Sequence, residues 1–105
     1  MNENPRGKNV SLRDLPFSER PQERLERLGS QSLSDRELLA MILRSGTARH
    51  DVLSLADILI SQSGSLAGLV RWDASEFRKI PGIGKVKALQ LSALVEVAKR
   101  ISQGN

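Results

Sequence analysis

From Lys85 to Ile101 the chain runs seventeen residues without a glycine or a proline, directly after the stretch "KIPGIG". That is almost five turns of uninterrupted helix, entered through backbone whose Pro-Gly pair has the chemistry of a tight turn. Val86, Leu89, Ala93, Val97 and Ala98 recur along it at helical spacing, with Leu94 and Ile101 broadening the stripe, and this is the face expected to pack. A chain of 105 residues built around such a helix has room for one small domain, not for a catalytic domain beside a binding domain.

The earlier part of the chain follows the same period. Pro21 opens a first helix, in which Leu25 and Leu28 repeat before Gly29 stops it. "SDRELLAMILRSG" predicts a second: Ser34 and Glu37 have capping-box spacing, and Leu38, Leu39, Met41 and Ile42 form an apolar stripe ended by Gly46. After "RSGTARH", Asp51 is placed to cap a third, with Val52, Leu55, Ile58 and Leu59 on one face and Gly64 closing it. Two short helices follow, one in "LAGLVRW" and one in "SEFRKI", the second behind a cap-like Asp73 and Glu76. No run alternates with period two between turn signals, so no sheet is expected. The predicted fold is all-α, a compact five- to six-helix domain over residues 18 to 103 behind a loosely ordered tail over residues 1 to 17.

The absence of cysteine excludes a disulfide framework, a thiolate metal site and a cysteine nucleophile. His50, alone in a polar loop, makes no recognisable metal site. No apolar leader follows Met1 and no run approaches the ~20 apolar residues of a membrane span, so a cytoplasmic protein without a membrane partner is expected. Aromatic residues are only 3% of the chain, and Trp72 is read as a core anchor between short helices rather than as a platform for stacked bases, since it is alone and Phe77 fits a buried face. The Arg-Glu mixture of "SERPQERLER" reads as a solvated helix carrying i to i+4 pairs.

The net charge of +4 is unevenly placed. Residues 71 to 105 hold seven Lys/Arg against three Asp/Glu, while residues 1 to 34 hold six against five and residues 35 to 70 three against four. The excess surrounds "PGIG" and suits a polyanion or an acidic protein face.

"GIGK" is not part of a nucleotide-binding loop. A P-loop would need glycine at Lys79 and Ser or Thr at Val86, and a dinucleotide fingerprint would need glycine at Lys87, each after a strand. A hairpin between helices uses every residue instead. Pro81 stiffens the turn, Ile83 anchors it in the core, and Gly82 and Gly84 leave backbone amides bare to an approaching phosphate. The following helix aims its unpaired N–H groups and positive dipole end at the same place. Lys85 and Lys87 in that first turn oppose the dipole, a cost that a bound anion would offset.

Ile80, "PGIG" at Pro81 to Gly84, and then Lys87 and Ala88 resemble the helix-hairpin-helix motif of DNA-binding proteins. The resemblance implies phosphate contacts, without base reading, from Gly82, Ile83, Gly84, Lys85 and Lys87 within a unit over residues 74 to 101. It also implies a tandem arrangement, similar to SAM-like and RuvA C-terminal-like domains, with a degenerate first hairpin over residues 44 to 50 whose Arg44, Thr47 and Arg49 are secondary contacts.

More widely, "LRDLPFSERPQERLERLGSQSLSDRELLAMILRSGT" with "GSLAGLVRWDASEFRKIPGIGKVKALQL" is similar to the N-terminal domain of the RadC family, named for a role in DNA repair. Members continue into a metalloprotease-like JAB/MPN domain that binds zinc through His-x-His and Asp. With His50 alone, this chain is expected to lack that domain, to have no cofactor of its own and not to be an enzyme. The function implied is a DNA-backbone-binding module, for single or double strands, that positions the absent domain. The alternative is a structural or docking module for that domain or another protein, without nucleic-acid binding.

Overall fold

The computed structural model describes residues 15, 16 and 19 to 104. Among these residues there is no strand, and the fold is all-helical. The described residues form five α-helices: α1 (Pro21–Leu28), α2 (Asp35–Leu43), α3 (Val52–Ser63), α4 (Ala74–Arg78) and α5 (Lys85–Ser102). Short 3-10 turns cover Ser30–Ser32 and Ala67–Arg71, so the helix expected in "LAGLVRW" is a 3-10 turn. The tail expected over residues 1 to 17 lies outside the described residues except for Leu15 and Pro16. The helices group into two compact units that divide within α3, one ending at Ile58 and the other starting at Leu59.

In the first unit, local chemistry sets each helix start. Pro21 occupies the first turn of α1, where a missing N–H costs nothing. The expected capping box of α2 is formed: Ser34 Oγ accepts from the Glu37 amide at 3.3 Å, and Glu37 Oε1 accepts from the Ser34 amide at 2.9 Å. Asp51 caps α3 by accepting from the Ser54 amide at 2.8 Å.

The end of α2 differs from expectation. It stops at Leu43, because Arg44 takes φ 66° and ψ −39° and the Ser45 amide donates to the Leu43 carbonyl at 2.7 Å. This is a three-residue γ-turn of the rare positive-φ kind. Gly46 has another task, since a Cβ there would lie 2.1 Å from the His50 carbonyl oxygen. The buried face of α2 is also rotated from the expected stripe: Leu39, Ala40 and Leu43 are buried, whereas Ile42 is exposed. With apolar residues at all of positions 38 to 42, periodicity leaves the face uncertain by about one residue, and Ala40 and Leu43 decide it. Leu28 of α1 is likewise exposed. Leu33, Val52, Leu53, Leu55 and Ala56 are buried as well.

α1 is more than a solvated helix with neighbouring pairs. Arg24 leaves it to reach Glu37, thirteen residues on, and the Ser32 carbonyl.

In the second unit the buried residues include Leu59, Leu69, Phe77, Ile80, Ile83, Ala88, Leu91 and Val95. Asp73 and Glu76 form a reciprocal capping box at 3.0 Å in both directions, which starts the five-residue α4. The Trp72 ring meets fully buried Phe77 edge-on, with centroids 5.3 Å apart.

The packing face of α5 is opposite to the one expected. It buries Ala88, Leu91 and Val95, while Val86, Leu89, Val97 and Ile101 are 81%, 52%, 54% and 71% exposed. Ala93 and Ala98 are exposed too. Both sets keep helical spacing, so α5 has two apolar faces and periodicity alone cannot choose between them.

Candidate nucleic-acid interface

α4 and α5 are joined by six residues, and hydrogen bonds follow the chain through them. The Lys79 amide donates to Glu76, the Ile80 amide to Phe77 and the Ile83 amide to Ile80, at 3.1, 3.1 and 3.0 Å. The last of these closes a four-residue turn with Pro81 and Gly82 at its centre. Proline fixes a negative φ and Gly82 takes φ 94°, the combination of a type II turn, which demands glycine at that place.

Ile80 and Ile83, at the two ends of the turn, are 5% and 4% exposed. The expected anchoring of Ile83 in the core is therefore present, and it removes Ile83's side chain from contact with any ligand. Pro81, Gly82, Gly84 and Lys85 are exposed, and Lys87 is half-buried.

Gly84 is the N-cap residue of the eighteen-residue α5 and, as a glycine, makes no side-chain cap to that helix. The first N–H groups of a helix have no intrahelical partner, so this end offers donors and a partial positive charge. No acidic residue lies in its first turn, where Lys85 and Lys87 stand instead. Gly84 itself has φ −90° and ψ −170°, angles open to any residue, and a Cβ built on it would meet nothing within 4 Å. Nothing inside the fold requires glycine there.

Sequence reasoning missed two residues of this region. Arg78 and Lys79, exposed at the end of α4, lead into the turn, so four cations flank it within ten residues and no carboxylate falls between Glu76 and Glu96. The signal that could have found them is the local charge excess, which the reading of the hairpin tied to α5 alone.

In the first unit, "RSGTARH" is a loop held by its own hydroxyl. Thr47 Oγ1 accepts from the amides of Arg49 and His50 at 3.3 and 3.2 Å, and the Thr47 amide donates to the His50 carbonyl at 2.8 Å. Arg44 and Arg49 are exposed, and Arg44 lines a cleft of about 540 Å³ with Arg20, Pro21, Glu23, Ala40 and Met41. Thr47's oxygen is thus committed to the loop. His50 joins no cluster of metal-ligating side chains among the described residues, and no described helix is long and apolar enough to cross a membrane.

The family model described as UPF0758 N-terminal matches residues 12–89. A UPF0758 protein of Clostridium botulinum (strain Hall) is 49% identical over 92 residues, which cover 88% of this chain and 40% of that protein. A UPF0758 protein of Clostridium acetobutylicum is 45% identical over 91 residues, covering 87% and 40%. The chain spans about two-fifths of the length of these curated relatives, and their names state no catalytic activity. No solved structure matches.

Proposed function

This chain belongs to the UPF0758 N-terminal family, the N-terminal region of RadC-type proteins, and from that premise we propose that it binds the sugar-phosphate backbone of DNA without reading bases. The contact is a helix-hairpin-helix made by α4, the type II turn and α5. The amides about Gly82 and Gly84 and the end of α5 receive a phosphate, and Lys85 and Lys87 neutralise it, with Arg78 and Lys79 at the rim. In the longer relatives such a module would hold DNA for whatever the remaining region does.

One observation carries this reading: Gly84 is bare where neither its backbone angles nor its surroundings ask for glycine. A missing side chain that the fold does not need leaves room for something outside the fold. Its position at an uncapped helix start, among lysines, makes an anion the matching occupant.

The test is an amide NMR titration of the isotope-labelled chain with a short DNA duplex at low and moderate salt. Shifts centred on Gly82 to Lys87 that fade with salt are expected. Silence of these amides at both salt concentrations overturns the proposal, and salt-insensitive association with protein alone would favour a docking module instead.

A further inference from the structure

The outer face of α5 carries an apolar stripe along its length, with Gln90 and Arg100 beside it. Val86, Leu89, Ala93, Val97 and Ile101 follow one another at spacings of three and four along it, all exposed, and four of them are large side chains at 52% to 81% exposure. Scattered exposed apolar residues are ordinary, but a continuous stripe along one helix marks a surface that is covered in use.

Charge limits what can cover it. Lys85, Lys87, Lys99 and Arg100 of α5 stand against one carboxylate, Glu96, which Arg100 already holds at 3.0 Å. Two copies laid face to face would bring these cations together, so a second copy fits poorly. An apolar surface edged with carboxylates fits well.

The relatives contain a further three-fifths of their length beyond the matched part, and the matched family model is N-terminal. An N-terminal match puts the remaining polypeptide of the relatives after the matched residues, which here run into α5 as far as residue 89, and Ile101 is the stripe's last residue, one position before the helix ends at Ser102. A region tethered at that end meets the stripe at high effective concentration. We infer that the outer face of α5 is the seat of the region that follows it in the longer members of the family, docked through apolar residues edged by carboxylates. This surface does not depend on nucleic-acid binding by the turn.

The chain has no cysteine, so single thiols report on the face cleanly. Val97→Cys, Ile101→Cys and, as a control on α4, Ser75→Cys are labelled with a polar maleimide in two polypeptides. One is this chain. The other is this chain joined after Asn105 to the following region of the C. botulinum relative, with that region's own cysteines changed to serine. Labelling at positions 97 and 101 is expected to slow at least about tenfold in the longer polypeptide, with position 75 unchanged. Leu89→Asp in the longer polypeptide is expected to restore fast labelling. Equal rates in the two polypeptides overturn the inference, as does protection that survives Leu89→Asp. Labelling that slows with concentration in the shorter chain identifies a second copy as the occupant and overturns it too.

Discussion

The guanidinium of Arg24 meets both carboxylate oxygens of Glu37, at 2.8 Å through Nη1 and 2.7 Å through Nη2. The same carboxylate accepts the Ser34 amide and hydroxyl, and the same guanidinium donates to the Ser32 carbonyl at 2.8 Å. One bidentate pair therefore ties α1, the 3-10 turn and the start of α2 together. The two side chains are 19% and 15% exposed, against 40% and 46% for the Arg36–Asp57 bridge. The first is a structural element and the second a surface pair worth about 0–1 kcal/mol.

This pair sets an acid limit on the first unit. Bonding to Arg24, then to the Ser34 amide and hydroxyl, holds the Glu37 carboxyl below its ordinary range. A carboxyl that is more acidic when folded contributes stability above its unfolded pKa, about 4.3, and loses it as pH falls through the folded value. Glu37→Gln is expected to be less stable than the parent at pH 7, with the difference closing below about pH 4. Denaturant melts across pH 2 to 7 check this, and a constant difference would refute it. Ser34→Ala, which removes the cap, is expected to cost about 1 kcal/mol at pH 7.

Gly46 is required by contact rather than by helix termination. A Cβ there would lie 2.1 Å from the His50 carbonyl oxygen and 2.6 Å from the Asp51 carbonyl carbon, both backbone atoms with little room to move. Gly46→Ala is expected to destabilise by about 2–3 kcal/mol in a denaturant melt.

These sites show what the sequence makes legible. Both capping boxes, the Asp51 cap and the Pro81-Gly82 turn depend on residues within four positions of each other, and each is formed. The Arg24–Glu37 pair spans thirteen positions, so nothing local distinguishes Arg24 from Arg27 on the same helix. Arg44 adopts a conformation that residue type argues against, and no sequence rule would place it there. α5 is legible as a helix but not in its orientation, because its two apolar faces compete and only packing decides. The candidate site is legible at its turn and not at Arg78 and Lys79, which belong to the end of the preceding helix.

Gly82 and Gly84 separate fold from function. Gly82→Ala forces a side chain to φ 94° and is expected to cost about 1–2 kcal/mol. Gly84→Asp places a strong N-cap residue where space is open, and is expected to stabilise by about 0.5–1 kcal/mol while putting negative charge where the phosphate is proposed to sit. Melts and DNA titration by fluorescence anisotropy on the same samples should then move in opposite directions for Gly84→Asp. A variant that is more stable and binds DNA as before would remove the phosphate from that position.

The lysines give the electrostatic test. A module that neutralises about 2–4 phosphates should show a log-log dependence of affinity on salt with a slope of about −2 to −4, and bind no tighter than about 10⁻⁴–10⁻⁵ M at physiological salt. Lys85 is exposed beside the N-cap and Lys87 lies half-buried on the same turn, so replacing either by Glu should weaken all DNA sequences alike. The slope should become shallower by about one for each phosphate that is no longer neutralised. Weaker binding with an unchanged slope would mean that the lysine supports the turn rather than touching phosphate. Unchanged binding in both variants would leave the turn as a structural corner, with α5 serving the chain through its outer face.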